Sequence, residues 1–210
     1  YTAFDQRMAT ASESHLVLAR NLTGALSRYV RDVESVFRTV SQNMRDKASD
    51  EMLRPLLRDL HFDHVDIIDG GGRILAQRCG MRCADKDRIA SAIIDRLAPQ
   101  ISAAREMPGM VYMSGVIPGE SGAPTIFLLL GHPDATFTLG LLATDYIRAI
   151  QRSVTFGEKG HAAIVDQHGR VLAHPNATWT MSMKNISKVS AVRKMMAGKT
   201  GVVEFYSPAL

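Results

Sequence analysis

The segment VDIIDGGGRILAQ, residues 65–77, contains two apolar runs separated by a turn of one aspartate and three glycines. Apolar runs on both sides of such a turn predict a β-hairpin. The segment AAIVDQHGRVLAH, residues 162–174, repeats this pattern with six identical residues at matching places. A hairpin that recurs about one hundred residues later predicts two tandem small domains.

Turn chemistry explains only part of this likeness. Asp69 and Asp166 align, and an aspartate in a turn accepts hydrogen bonds from the turn backbone. Gly72 and Gly169 also align, and glycine adopts the positive φ that other residues resist. The matching residues in the flanking strands are not required by the turn, so we interpret the two copies as related modules.

Helix and strand patterns surround both hairpins. Apolar residues at spacings of three and four predict one long helix from Leu16 to about Lys47. The first hairpin is followed by a helical pattern and then by strand-like runs separated by Gly and Pro turns. These patterns cover residues 85–106 for the helix and 110–117, 125–132 and 136–143 for the strands. A helix over 145–153 leads to the second hairpin, which precedes a helix over 189–197 and a strand over 201–206.

We therefore expect an α+β protein in which a long N-terminal helix is followed by two modules with antiparallel sheets. Residues 1–61 are assigned to the long helix and a short second helix. The first module is expected at residues 62–156 and the second at residues 157–210.

The composition is that of a folded globular protein, with 46% hydrophobic and 22% charged residues. The formal net charge is +4, but basic and acidic residues are interspersed, which argues against nucleic-acid binding. The longest apolar run, residues 126–130, is far shorter than the ~20 residues that span a bilayer. Because the chain begins at Tyr1 without a Met or a signal peptide, we interpret it as an excised segment of a longer protein.

Several stretches resemble the double Cache sensor domains, the PAS-like ectodomains of bacterial histidine kinases, diguanylate cyclases and chemoreceptors. The most specific are LGLLATDYI at residues 139–147 and GEKGHAAIVDQHGRVLAHP at residues 157–175. The long first helix, the first hairpin and VYMSGVIPGESGAPTIFLLLGH at residues 111–132 also match. The resemblance covers nearly the whole chain.

The resemblance implies a membrane-distal PAS-like module, a membrane-proximal one and a helical spine beneath both. The proximal module ends at Leu210, before two strands of the family pattern, so its sheet is expected to be incomplete. The implied function is that of a periplasmic, non-enzymatic sensor region of an inner-membrane receptor, with a sensor histidine kinase favoured. A small-molecule ligand without any cofactor is expected in the distal module.

Two charged residues are candidates for ligand binding. Asp145 follows the strand LGLLAT and matches the acid that holds an amino group in the amino-acid-binding branch of the family, although an aspartate there is also a good helix N-cap. Arg105 lies near the same module, and a guanidinium group suits a carboxylate. An organic acid or an amine is the expected ligand.

Four residues on the predicted strands complete the candidate ligand site. Tyr112 and Ser114 share one strand face because side chains alternate, and their polar tips suit the orientation of a ligand. Phe127 and Leu129 also share a face, which either lines the pocket or packs in the core.

Other chemical readings of the sequence remain open. Cys79 and Cys83 form either a disulfide in an oxidising periplasm or half of a metal site, and we expect no complete set of metal ligands. GESGA, residues 119–123, approaches the nucleophile elbow of a hydrolase with Ser121 as nucleophile, but a strand follows it where a helix is required. We therefore predict a hairpin turn there and no catalytic residue.

The rival function is a protein-interaction module that has no small-molecule ligand. Tyr29, Val33, Phe37 and Val40 recur on one face of the long helix. Such a stripe predicts a homodimer through the N-terminal helix, which concentration-dependent sedimentation would detect.

Overall fold

The computed structural model describes residues 3–47, 53–83, 86–156 and 160–201. Within them the chain is α+β, as the sequence predicts. The elements are, in chain order, α1 Ala3–Arg45, α2 Leu53–Asp59, β1 Phe62–Ile68, β2 Ile74–Cys79, α3 Ser91–Arg96, α4 Ala98–Glu106, β3 Val111–Pro118, β4 Pro124–Gly131, β5 Phe137–Ala143, α5 Asp145–Ser153, β6 Thr155–Phe156, β7 Gly160–His161, β8 Ile164–Val165, β9 Val171–Ala173, α6 Ala177–Met181 and α7 Ser190–Met196.

The chain divides into two compact units. Residues 29–146 form the first, here called the sheet unit, and residues 1–28 with 147–210 form the other. The sheet unit contains a five-stranded sheet in the order β2-β1-β5-β4-β3. Every neighbouring pair of strands is antiparallel, and β5 is the central strand, between β1 and β4.

One face of this sheet packs against the C-terminal part of α1. Phe37 is fully buried there, in ring contact with Phe62 at a centroid distance of 6.2 Å. A Cβ atom on Gly140 of β5 would lie 2.9 Å from both rings, so a glycine at this position lets the helix approach the sheet. The Ser41 and Thr138 hydroxyl oxygens lie 2.7 Å apart and join α1 to β5.

The apolar stripe of α1 is buried inside the sheet unit. Tyr29 has 5% exposure, and Val33, Phe37 and Val40 have none. The Tyr29 hydroxyl donates a hydrogen bond to the Leu60 carbonyl oxygen at 2.9 Å. The four residues that suggested a homodimer therefore pack within their own chain, and a dimer through α1 remains a prediction that other residues would have to support.

The first hairpin has the turn that its sequence predicts. Asp69 Oδ1 accepts hydrogen bonds from the backbone N–H groups of Gly71 and Arg73, at 2.8 and 3.0 Å. Gly72 has a φ of 79°, in the left-handed region that favours glycine. The carbonyl oxygen of Gly72 accepts a hydrogen bond from the N–H of Ile89, which adds a third segment to the hairpin.

The second hairpin repeats this geometry. Asp166 Oδ1 accepts from the N–H groups of His168 and Arg170, at 2.8 and 2.9 Å, and Gly169 has a φ of 76°. Its carbonyl oxygen likewise accepts from the N–H of Ile186. The repeat therefore extends beyond the residues that reveal it in the sequence.

The helix predicted over residues 85–106 is two helices, and Asp85 lies outside the described residues. Leu97 joins α3 to α4 with φ −92° and ψ 1°. Pro99 follows at the start of α4, where the lack of a backbone N–H is tolerated and where a new helix readily begins.

The described residues from 147 onward carry all of α5 but its first two residues, the strand pairs β6-β7 and β8-β9, and two short helices. Asn176 caps α6, because its Oδ1 accepts from the N–H groups of Thr178 and Trp179. The strand predicted over 201–206 lies, from Val202 onward, outside the described residues. Among the helices that the structure describes, none combines the length and apolar character that a membrane crossing demands.

Candidate functional site

The second face of the five-stranded sheet, here called the inner face, is covered by α3 and α4. Most of it is apolar and closed. Directly opposed residues of neighbouring antiparallel strands share a face, so the pairings place Tyr112, Leu129 and Leu139 in one row of it. The buried apolar cluster between the inner face and these helices consists of Ile68, Ile89, Ile93, Leu97, Ala104, Ile117, Phe127, Leu129, Phe137, Leu139 and Leu141.

The β1 and β2 part of the inner face carries two buried and one partly buried polar side chain, here called the polar cluster. It consists of His64, Asp66 and Gln77. His64 Nδ1 lies 2.9 Å from Asp66 Oδ2, and these side chains are only 3% and 0% exposed. Gln77 Nε2 donates a hydrogen bond to Asp66 Oδ1 at 2.8 Å. Asp66 is paired with Leu139 of β5, so the polar cluster continues the apolar row.

The surroundings of the polar cluster favour a positive charge on His64. Burial opposes that charge, but the hydrogen bond with Asp66 and the negative charges of Asp66, Glu120 and Asp63 outweigh burial and raise the pKa of His64. Glu120 lies in the turn between β3 and β4, and its Oε2 is 3.9 Å from Lys86 Nζ. Acidic and basic side chains therefore border the polar cluster.

The structure places three of the sequence-predicted residues together. Phe127 and Leu129 are each 1% exposed, and Tyr112 packs against the same buried cluster. Ser114 is buried too, but its hydroxyl is engaged by the sheet. Ser114 Oγ accepts a hydrogen bond from the Phe127 N–H at 2.9 Å and donates one to the Gly115 carbonyl oxygen, where the β3-β4 register shifts.

Arg105 lies at the periphery of the inner face. It is exposed on the last turn of α4, and its guanidinium carbon is 5.6 Å from the centre of the Phe137 ring. Its Nη2 atom also lies 3.2 Å from where a Cβ atom on Gly70 would stand, next to the turn of the first hairpin. The guanidinium group therefore contacts the rim of the apolar cluster.

Asp145 lies beyond the end of β5, away from the row of Tyr112, Leu129 and Leu139. It is the first residue of α5, where a negative charge is stabilised by the helix dipole. Along β5, Ala143 is already about 13 Å from the Leu139 row at ~3.3 Å per residue. Burial, together with the negative charges of Tyr146 and Asp145, raises the pKa of Tyr29. Asp145 therefore lies near the Tyr29 and Tyr146 rings, which contact each other in a tilted arrangement.

The polar cluster was missed in the sequence, although a signal for it was present. In β1, His64 and Asp66 alternate with Val65 and Ile67, so they share one face of a strand that is otherwise apolar. Polar residues at such positions must find partners when they are buried. The pairing partner Gln77 could not be foreseen without the register of β1 and β2.

Two further predictions concern reactive groups. Cys79 and Cys83 are joined in a disulfide, with Cα atoms 5.1 Å apart. Ser121 is exposed in a turn closed by the Gly119 N–H to Ala123 carbonyl bond, and β4 follows it. This is a hairpin turn and not a nucleophile elbow. No group of three or more His, Cys, Asp or Glu residues suited to a metal ion is found within the described residues.

No protein-family model matches the sequence, and no curated protein matches it significantly. Solved structures match over most of the chain. The ligand-binding domain of the Pseudomonas aeruginosa PAO1 amino acid chemoreceptor PctB, in complex with L-Arg, is 18% identical, with a TM-score of 0.52 over 89% of this chain and 76% of that one. The ligand-binding domain of Mlp24 with asparagine is 14% identical, with a TM-score of 0.56 over 89% of this chain and 79% of that one.

The extracellular domain of the putative histidine kinase rpHK1S-Z16 is 17% identical, with a TM-score of 0.57 over 91% of this chain and 79% of that one. At these identities the likeness concerns the fold. The chain therefore has the fold of the extracellular and ligand-binding domains of bacterial histidine kinases and chemoreceptors, which confirms the fold that the Cache-type resemblance implied.

Proposed function

We propose that this chain is the extracytoplasmic ligand-binding sensor region of a bacterial transmembrane signalling receptor, with a sensor histidine kinase as the favoured class. The observation that carries the proposal is the fold, because both chemoreceptor ligand-binding domains and histidine kinase extracellular domains share it. In this proposal residues 62–156 are the membrane-distal module and residues 157–210 the membrane-proximal one. The region lies in the periplasm and binds its ligand without catalysis or a cofactor.

The inner face is the proposed ligand site. Ligand pockets are mostly apolar with a few polar groups that set the orientation, and the apolar row with the adjoining polar cluster has this composition. Glu120 adds a further polar group to this site, since its Oε1 is buried and has no hydrogen-bond partner among the described residues. Buried charged groups of this kind often mark functional sites. The proposed ligand is a small organic acid or amine.

Signalling in this proposal uses the sheet as the link between ligand and helix. The ligand binds the inner face, while the opposite face packs on α1 through Phe37 and Gly140. A ligand that binds one arrangement of sheet and helix more tightly shifts the population toward that arrangement. The receptor would report this shift through α1.

A thermal-shift screen against amino acids, organic acids and amines tests the proposal. A ligand present at 100 times its dissociation constant stabilises the native state by about 2.7 kcal/mol, which raises the melting temperature by several degrees. Asp66→Asn and Asp145→Ala address the two acidic sites separately, and Asp32→Ala on the exposed face of α1 is the control. A hit lost in Asp66→Asn and kept in the control supports binding at the inner face.

A second function is favoured by the packing of the inner face. Tyr112, Phe127 and Leu129 fill it together with α3 and α4, so the domain could act through contact with another protein. A homodimer along α1 is the simplest case, and Val17 and Val30 are exposed there by 49% and 39%. A screen without hits, together with self-association in sedimentation experiments, would favour this function over ligand binding.

A further inference from the structure

A cleft of about 620 Å³ lies at the edge of the sheet unit, between α2 and the edge strand β2. This volume is within the range of small-molecule sites. The cleft differs from the inner face in location and in chemistry, although Gln77 borders both. Its lining residues are Leu53, Arg54, Pro55, Leu57, Arg58, Asp59, Gln77, Arg78, Cys79 and Cys83.

The lining is strongly basic for its size. It contains three arginines, Arg54, Arg58 and Arg78, against the single acid Asp59. Arg54 and Arg58 are one helical turn apart on α2, which brings their side chains to the same side of the helix. Within the described residues, neither of these two arginines makes an ion pair, and both are exposed. Their guanidinium groups are therefore open to a ligand.

The walls of the cleft are held by packing and covalent bonds. Leu53 and Leu57 of α2 are 7% and 0% exposed, so the helix that carries the two arginines is anchored in the core. The disulfide of Cys79 and Cys83 fixes the opposite wall. A Cβ atom on Gly80 would clash with the Phe62 carbonyl oxygen, so this loop lies tightly against β1. Walls that are fixed before binding lower the cost of binding.

We propose that this cleft is a binding site for a small multivalent anion, a polycarboxylate or a phosphate. Planar guanidinium groups form paired hydrogen bonds with carboxylate and phosphate oxygens. The ligand would bridge Arg54 and Arg58 on the helix, and Arg78, whose Nη1 donates to the Gln77 carbonyl oxygen, would add positive charge on the strand side. This site would act besides the one proposed on the inner face, and neither proposal depends on the other.

Isothermal titration of the purified chain with citrate and, separately, with inorganic phosphate tests the proposal at constant ionic strength. We expect saturable binding of at least one of them, and acetate as a monovalent control should bind far more weakly. The variant Arg54→Ala/Arg58→Ala should weaken the binding by about tenfold or more, because it removes two charge-assisted contacts. The anion that binds more tightly identifies the ligand class.

Two further variants separate a specific site from general charge attraction. Arg31→Ala/Arg96→Ala removes two exposed arginines of the same unit, causes the same change in net charge and should leave binding unchanged. Arg54→Lys/Arg58→Lys keeps the charge and should bind more weakly than the wild type, because lysine lacks the planar fork. Equal affinity in both alanine variants, or the absence of saturable binding to either anion, would overturn the proposal. Circular dichroism checks that each variant is folded.

Discussion

Replacement of His64 by leucine should destabilise the protein strongly, because it leaves the Asp66 carboxylate buried without its cationic partner. Asp66 is 0% exposed and would keep only the hydrogen bond from Gln77. The loss of one partner of a buried ion pair costs about 3–5 kcal/mol. Because His64 stands beside Leu141 on the inner face, leucine should be accommodated sterically.

The double variant His64→Leu/Asp66→Leu should regain most of this loss. Both charges are then absent, and an apolar replacement of a buried ion pair is often neutral in stability. The two substitutions are thus expected to be strongly non-additive. Urea unfolding followed by circular dichroism gives the free energy of unfolding of the wild type, of His64→Leu, of Asp66→Leu and of the double variant.

The pH dependence supplies an independent check. The pKa of His64 is raised above its ordinary value of 6.5, so protonation of His64 favours the folded state. This stabilisation is fully present below pH 6.5 and is lost as the pH rises through the raised pKa. The wild type should therefore lose stability relative to the double variant as the pH rises above 6.5 and through the raised pKa of His64. The reasoning would be refuted if the stability changes of the two single variants added up to that of the double variant and if the wild type and the double variant had the same pH dependence.

Two other predictions concern covalent and backbone constraints. Cys79→Ser/Cys83→Ser opens a loop whose ends are separated by 4 in the sequence. It should lower the free energy of unfolding by about 2 kcal/mol, which urea unfolding measures. An unchanged unfolding midpoint would contradict this. Gly72→Ala and Gly169→Ala should each cost about 1–2 kcal/mol of stability, because alanine resists the positive φ. Gly169→Ala should cost more. Its Cβ would lie 2.8 Å from the backbone of Ser187, whereas the Cβ at Gly72 would meet the side chain of Ile94. Melting temperatures in the reverse order would contradict this.

Much of the fold could be predicted because its signals are local. The hairpin turns depend on an aspartate and a glycine within five residues, and the structure forms them as predicted at Asp69 and Asp166. The long helix follows from the apolar spacing around Phe37, and the strands β3, β4 and β5 from their flanking turns. The division of the predicted helix at Leu97 was missed, although Pro99 marks it.

The candidate site was less predictable because it depends on which strands lie side by side. Asp66 meets Gln77 only through the β1-β2 register, which shifts after Ile67. Ser114 was expected to face a ligand, but the register shift in β3 turns its hydroxyl to the backbone of Phe127. Such irregularities in a sheet have no clear pattern in the sequence.

The cleft beside α2 depends on tertiary structure alone. Arg54 and Arg78 are separated by a helix end, a strand and a turn, and only the packing of α2 beside β2 places them on one cleft. The spacing of Arg54 and Arg58 along a helix could be read in the sequence, but nothing there indicates that a third arginine faces them.

The two matched hairpins give this chain an internal replicate for experiments on backbone chemistry. Asp69 and Asp166 accept the same pair of backbone hydrogen bonds, yet they differ in burial and in the residues packed around them. The same substitution made in both copies therefore measures the influence of the surroundings on one turn, within one molecule and one solvent. A difference between the two copies in the effect of this substitution can then be attributed to the residues around each turn.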